Sequence, residues 1–186
     1  MAKDSYPRTI ALKDGSKANL RLMTTDDGPA ILKFAAKLLP DDLLFLRNDI
    51  TTKEGVDDWL RSLEVGHSTA LLAFAGNELL GYALVSQTPA RWTRRVGELR
   101  VNITPSRRGT GLGRLLTTEV FDIARGLGMR KLTAQMTPDQ GGARAVFEHL
   151  GFQVEALLAD WVEDASGRTR DLIIMTHDLD GFTNNA

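Results

Sequence analysis

The sequence predicts an α/β (α+β) fold: a central, mostly antiparallel twisted sheet of about seven strands, with helices on both faces and one parallel strand pair. Three observations predict it. Stretches of helix-period and strand-period apolar residues follow one another along the chain. Two-residue turn signals, Asp14-Gly15 and Gly76-Asn77, join strands as hairpins. A long amphipathic run separates "VGELRVNI" from "KLTAQM", the arrangement of a parallel crossover.

Each element has a local reason. "RTIALKDGSKANLRLM" reads as two short strands around Asp14-Gly15. From Asp26 the period changes: Ile31, Phe34, Ala35, Leu38 and Leu39 fall on one helical face, with Thr25 placed as a cap. Pro40 breaks that helix, and "DDLLFLRNDI" adds a further helical turn or two. Val56, Trp59, Leu60 and Leu63 repeat the helical spacing after Thr52. "STALLAFA" and "ELLGYALVSQ" form a hairpin, the loop "TPARWTRR" follows, and "VGELRVNI" is the next strand. Leu112, Leu115, Leu116, Val120, Ile123, Ala124 and Leu127 then mark an amphipathic helix that Gly128 ends. After the strand "KLTAQM", Ala143, Val146, Phe147 and Leu150 form a short helix closed by Gly151. Two strands, about Phe152 to Trp161 and Thr169 to His177, complete the sheet.

Length and composition narrow the function. The 186 residues suit one domain, 1–186, with its core at about 18–177 and a frayed tail at 180–186. A net charge of −1 supplies no basic field for nucleic acid or an anionic membrane. The absence of cysteine excludes disulfides, thiolate metal sites and a cysteine nucleophile. His67, His149 and His177 lack metal-ligand spacing. No apolar run reaches membrane-spanning length, and the start "MAKDSYPRTIALKDG" lacks the apolar core of a signal peptide. The expected location is cytoplasmic. Oligomeric state stays open, a homodimer included.

The most informative stretch is "ITPSRRGTGLGRLL", Ile103 to Leu116. Glycines at 109, 111 and 113 open the amphipathic helix, and Arg107 and Arg108 precede them. A helix that opens on glycine offers free backbone N–H groups and the positive end of its dipole, together an anion site. A Walker loop would need Gly-Lys-Ser/Thr, but Arg114 follows Gly113. A dinucleotide fingerprint would need glycine or alanine where Arg114 or Leu116 stands. The pattern R/Q-x-x-G-x-G/A fits, as Arg108, Gly111 and Gly113.

With its strand-turn-helix context, this stretch resembles the GNAT N-acetyltransferase superfamily, as does "GGARAVFEHLGF" with its terminal "LGF". The resemblance runs in element order from about Ala18 to Met175, and is nearest to bacterial members whose acceptors are proteins or small amines. It implies a V-shaped cleft at the parallel pair, with acetyl-CoA as donor and CoA as product. The backbone of Arg108, Gly109, Thr110, Gly111, Leu112 and Gly113 would cradle the pyrophosphate. The strand end Val101, Asn102 and Ile103 would pair with the pantetheine arm.

The resemblance also places candidates for the chemistry. Glu98 stands where some lysine acetyltransferases of the superfamily carry a general base, on the strand face it shares with Arg100 and Asn102. Gln140 replaces a common asparagine that contacts the cofactor arm. Phe147 falls where many members have a tyrosine that protonates the leaving thiolate. Phenylalanine donates no proton, although a thiol of pKa about 8.5 leaves readily and water can protonate it. The implied function is acetyl transfer to a primary amine, a protein lysine or a small molecule, by direct attack in a ternary complex. An acyl-CoA-binding regulatory module with little turnover is the alternative. Longer acyl donors and the identity of the acceptor stay open. The loops Pro40 to Thr52 and Thr88 to Arg95 would decide the acceptor; Asp160 and Glu163 are weaker candidates to line its site.

Overall fold

The computed structural model describes residues 5–179 except positions 45, 89 and 165; the tail expected at 180–186 lies outside them. In chain order the elements are β1 (Arg8–Ala11), β2 (Lys17–Leu22), α1 (Gly28–Ala35), α2 (Pro40–Leu43, a single turn) and α3 (Lys53–Glu64). There follow β3 (Ser68–Ala75), β4 (Glu78–Gln87), β5 (Val96–Ile103), α4 (Leu112–Gly126) and β6 (Lys131–Met136). Then come α5 (Gly141–His149), β7 (Gln153–Glu163) and β8 (Thr169–Asp178). The strands form one 8-stranded sheet in the order β1-β2-β3-β4-β5-β6-β8-β7. The expected count of about seven rises to eight because both arms of the Asp14-Gly15 hairpin join the sheet. None of the described helices is long and apolar enough to cross a membrane.

All pairings are antiparallel except β5–β6. That parallel pair is short: its register runs Val96↔Lys131, Gly97↔Leu132, Glu98↔Thr133 and then stops. Yet β5 continues to Ile103 and β6 to Met136, each still paired on its outer edge. Beyond Glu98 the two strands therefore splay. The edges that face each other across the gap carry backbone groups that no ladder satisfies, the usual invitation to an added strand.

Each face of the sheet has its own core. On one, Leu112, Leu116, Val120 and Ile123 of α4 pack with Phe147 of α5, Leu71, Val85 and Leu99. On the other, Ile31 and Phe34 of α1 and Val56 and Trp59 of α3 cover Leu72 and Tyr82. The period-2 alternation of β3 sends Leu71 and Ala73 to the first core and Ala70, Leu72 and Phe74 to the second. At about 25 cal/mol per Å² of apolar surface removed from water, these two layers supply the main drive to fold.

Helix boundaries follow local chemistry. Thr52 caps α3, its Oγ1 accepting from the Gly55 N–H at 3.1 Å. Helix α1 ends at Ala35, short of the face that was expected to run to Leu39. Leu39 precedes Pro40 and takes extended backbone, φ −79° and ψ 155°, as the proline ring demands of its neighbour. The expected cap Thr25 instead lies within a 3-10 turn, Thr25–Asp27, whose N-cap is Thr24; the N-cap of α1 is Asp27.

Candidate functional site

The glycine turn joins the end of β5 to α4. A short 3-10 turn, Pro105–Arg107, leads into it. Gly109 and Gly111 hold φ of 80° and 85°, a left-handed backbone that costs a residue with a Cβ about 1–2 kcal/mol. Gly111 is the N-cap of α4 and brings no side chain to cover the helix end. The first bond into the helix ladder runs from the Leu115 N–H to the Gly111 carbonyl at 3.1 Å. The N–H groups of Leu112, Gly113 and Arg114 therefore stand outside the ladder, at the positive end of a 15-residue helix. A ligand with anionic oxygens fits that end.

The splay between β5 and β6 lies beside this turn. The Thr104 N–H donates to the Leu80 carbonyl at 2.9 Å, on the β4 side. Alternation along the strand then turns the amides of Val101 and Ile103 toward the gap and that of Asn102 toward β4. The Asn102 side chain also points away from the gap, its Nδ2 donating to Tyr82 Oη at 3.2 Å and to the Asp42 carbonyl at 3.4 Å. Of the three strand-end residues, Val101 and Ile103 thus turn backbone N–H groups toward the gap, while the Asn102 side chain bonds Tyr82 and the Asp42 carbonyl.

A cavity of about 240 Å³ opens under α3 and the 46–52 loop, against β3, β4 and β5. Glu98 and Arg100 line its floor and Trp59 and Arg47 its roof. The loop is seated tightly: a Cβ at Gly55 of α3 would lie 2.0 Å from the Asp49 carbonyl oxygen. Arg47 reaches Glu98 Oε2 from this loop, and Arg100 Nη2 donates to Glu98 Oε1 at 2.5 Å. Burial alone would raise the Glu98 carboxyl, but the guanidiniums of Arg47 and Arg100 outweigh it and hold the group below its ordinary value. Glu98 is therefore ionised throughout the neutral range. Tyr82 stands behind it, its phenol pushed far up by burial.

Gln140 and Phe147 occupy the far side. Gln140 precedes α5, and its Oε1 accepts from the Thr137 N–H at 3.2 Å, so its acceptor closes the β6–α5 loop. Phe147 is 7% exposed and packs edge-on against Phe152 at 5.0 Å, a core residue at helical spacing. A second, more open cavity of about 720 Å³ shares Leu46, Arg47 and Asn48 with the first. Arg170 lines it and ties three segments together, reaching Asp41 at 3.4 Å, Asp139 at 3.2 Å and Asp164 at 3.3 Å. Asp160 and Glu163 line neither cavity. Asp160 instead sits at an irregularity of β7 with φ 52°, its Oδ1 accepting from Thr169.

Sequence reasoning passed over Trp59, Arg47 and Arg170. Trp59 read as an apolar helix residue, which it is for all but its indole nitrogen. Arg47 and Arg170 lie in segments read as a helical turn and a strand, where a charged residue carries no signal of its own. Their role comes from partners far along the chain.

A model of the acetyltransferase (GNAT) family matches residues 33–152. Among solved structures, the putative acetyltransferase YncA of Salmonella typhimurium, with acetyl-CoA as its cofactor, superposes with a TM-score of 0.77 at 22% identity. That match covers 92% of this chain and 99% of the other. The ribosomal-protein-alanine N-acetyltransferase of Brucella melitensis aligns at 25% identity and TM-score 0.75, over 86% of this chain and 98% of its own. A mycothiol acetyltransferase of Beutenbergia cavernae is 35% identical over 66 residues, 35% of this chain and 22% of that protein.

Proposed function

Since the chain belongs to the acetyltransferase (GNAT) family, we propose that it is an acetyl-CoA-dependent N-acetyltransferase whose amine acceptor enters the cavity floored by Glu98 and Arg100. The observation that carries this reading is the continuity of three features along one segment. The splayed edge of β5, the uncapped glycine turn and the open end of α4 follow each other from Leu99 to Arg114. Acetyl-CoA, when bound, supplies a thioester-activated acetyl group, an amide-bearing arm and a pyrophosphate. The residues present fit it: gap-facing amides of Val101 and Ile103 for the arm, and the N–H groups of Leu112 and Gly113 for the phosphates. Gly111 takes the left-handed backbone of this turn, φ 85°, which glycine adopts without strain.

The chain's own groups do the rest. An amine must lose its proton to attack, and a free lysine-type amine has a pKa of about 10.4. Glu98 is the base we assign, an ionised carboxylate on the acceptor side of β5. Held low by Arg47 and Arg100, it passes a proton on to water rather than keeping it. Gap-facing N–H groups of β5 polarise the carbonyl under attack. Because Phe147 has no hydroxyl, the departing thiolate takes its proton from water. Attack is direct, in a ternary complex, and we assign the reaction to the cytoplasm.

The second reading is an acyl-CoA-binding regulatory module, which Phe147 favours by leaving no acidic side chain at the usual position. One pair of measurements separates them. Calorimetric titration with acetyl-CoA, CoA and a longer acyl-CoA reads the donor site, and release of free CoA with a panel of amines reads turnover. Binding with turnover supports the transferase. Binding without turnover on any amine supports the module, and no binding by any acyl-CoA sinks both.

A further inference from the structure

We infer that Arg47 is a displaceable latch on Glu98: the acceptor enters from the larger cavity as an ammonium ion and takes the place that the Arg47 guanidinium holds on the carboxylate. This rests on the transferase reading above, in which Glu98 is the base.

With Arg47 in place, an amine has no clear way to that base. Both carboxylate oxygens are engaged, Oε1 by Arg100 and Oε2 by Arg47. Each oxygen could accept a further bond, but the Glu98 side chain is only 12% exposed. For an amine to touch it, one guanidinium has to yield. The two are held very differently. Arg100 lies two residues along the same strand, its side chain 13% exposed. Arg47 comes from the 46–52 loop, its side chain is 54% exposed, and Glu98 is its only hydrogen-bond or ion-pair partner among the described residues. The backbone beside it is anchored. The Asp49 carbonyl accepts from the Thr52 N–H at 3.1 Å and from Thr52 Oγ1 at 2.9 Å, and it sits against Gly55. Release therefore asks for the rotation of one side chain and no movement of the loop. An ion pair with one partner half exposed contributes little to stability, so it exchanges readily.

Position gives the latch its use. Leu46, Arg47 and Asn48 line both the cavity of about 240 Å³ over Glu98 and the more open one of about 720 Å³. They form the partition between the two, and Arg47 is the member of it that bonds Glu98. An acceptor arriving through the larger cavity meets Arg47 first. Charge then restricts what can replace it. A neutral group would leave Glu98 with one cation fewer, whereas an ammonium exchanges cation for cation and N–H donor for N–H donor. A lysine-type amine, with a pKa of about 10.4, arrives at neutral pH as that ion.

The test uses the whole chain with acetyl-CoA, and n-butylamine, cadaverine and Nα-acetyl-lysine methylamide as acceptors. CoA release is followed for the wild type, Arg47→Ala and Arg47→Gln. Removing the latch should lower KM for an amine about two- to fivefold, the scale of a part-exposed ion pair. Loss of a mere support for Glu98 would not do this. Methylguanidinium added to Arg47→Ala should raise KM back toward the wild-type value by competing with the amine. In parallel, the carboxyl carbon signal of Glu98, identified by its loss in Glu98→Gln, is followed by NMR. The n-butylammonium ion should move it in the wild type, and methylguanidinium should move it in Arg47→Ala. A KM that is unchanged or raised in both variants, or that methylguanidinium leaves untouched, overturns the latch and leaves the transferase standing. A Glu98 signal that no amine moves overturns it as well. If amines move the signal and none releases CoA, the latch stands and the transferase reading falls.

Discussion

Arg108 Nη2 donates to Asp42 Oδ2 at 2.5 Å, tying the residue that opens the glycine turn to helix α2, 66 positions earlier in the chain. The same guanidinium is the one expected beside the pyrophosphate, so Asp42 would compete with the phosphates for it. Asp42→Asn removes the competing charge and is predicted to tighten acetyl-CoA binding about two- to fivefold, the scale of a part-exposed ion pair. Calorimetry at low and high salt reads this, and the gain should shrink as salt screens it. An affinity unchanged at low salt would mean that Arg108 does not serve the phosphates.

Gly111→Ala forces a Cβ onto a residue at φ 85°, with Lys13 side-chain carbons 3.1–3.2 Å away. The lysine can give way but the backbone cannot, so the cost is about 1–2 kcal/mol. For a chain of this size that lowers Tm by about 2–8 °C. Acetyl-CoA affinity should fall about tenfold or more. Gly113→Ala is the control for fold, since its Cβ would meet Ile103 at an ordinary 3.6 Å and α4 would gain helix propensity. Thermal melts of both variants decide: a Gly113→Ala that melts well below the wild type would contradict this account of α4.

Glu98 gives a prediction with a definite sign in pH. Its folded pKa is lowered, so it is ionised at neutral pH and the wild-type rate should show no Glu98 titration between about pH 5 and 7. Glu98→Gln should reduce kcat by about 100-fold or more and leave acetyl-CoA binding unchanged. Stability follows the same logic. A depressed carboxyl stabilises the fold above its unfolded value of about 4.3, and that contribution is lost as pH falls through the lower folded value. The melting deficit of Glu98→Gln should therefore be full at pH 7 and shrink below about pH 4. A deficit that grew on acidification would show that the carboxyl is not held by Arg47 and Arg100 as described.

Arg170 holds Asp41, Asp139 and Asp164 at once, joining α2, the β6–α5 loop and the β7–β8 turn around the second cavity. Arg170→Met keeps much of the side chain's bulk and removes the charge. Three carboxylates then repel one another with no shared counter-ion. Hydrogen exchange should quicken several-fold in residues 40–43 and 164–168 while α4 keeps its protection. Equal exchange in those segments would show that the ion cluster does not hold them.

The split between what was legible and what was not follows the range of the interactions. The glycine turn, the length of α4 and both hairpins could be read from the chain, because each depends on residues a few positions apart. So could the shared face of Glu98, Arg100 and Asn102, since a strand alternates whatever surrounds it. The boundary that moved, α1 ending at Ala35, is where Pro40 and its extended neighbour override the periodicity. What the sequence by itself determined was thus the order of elements and the glycine turn that opens α4, both products of local backbone chemistry. Only the tertiary structure decided the cavity floored by Glu98 and Arg100. Arg47 meets Glu98 across 51 positions and Arg108 meets Asp42 across 66, because sheet register and the seating of Asp49 on Gly55 bring them together. Trp59 shows the reason most plainly: its spacing places it in the core, and only the packing of α3 over the sheet makes it line the same cavity as Glu98 and Arg100.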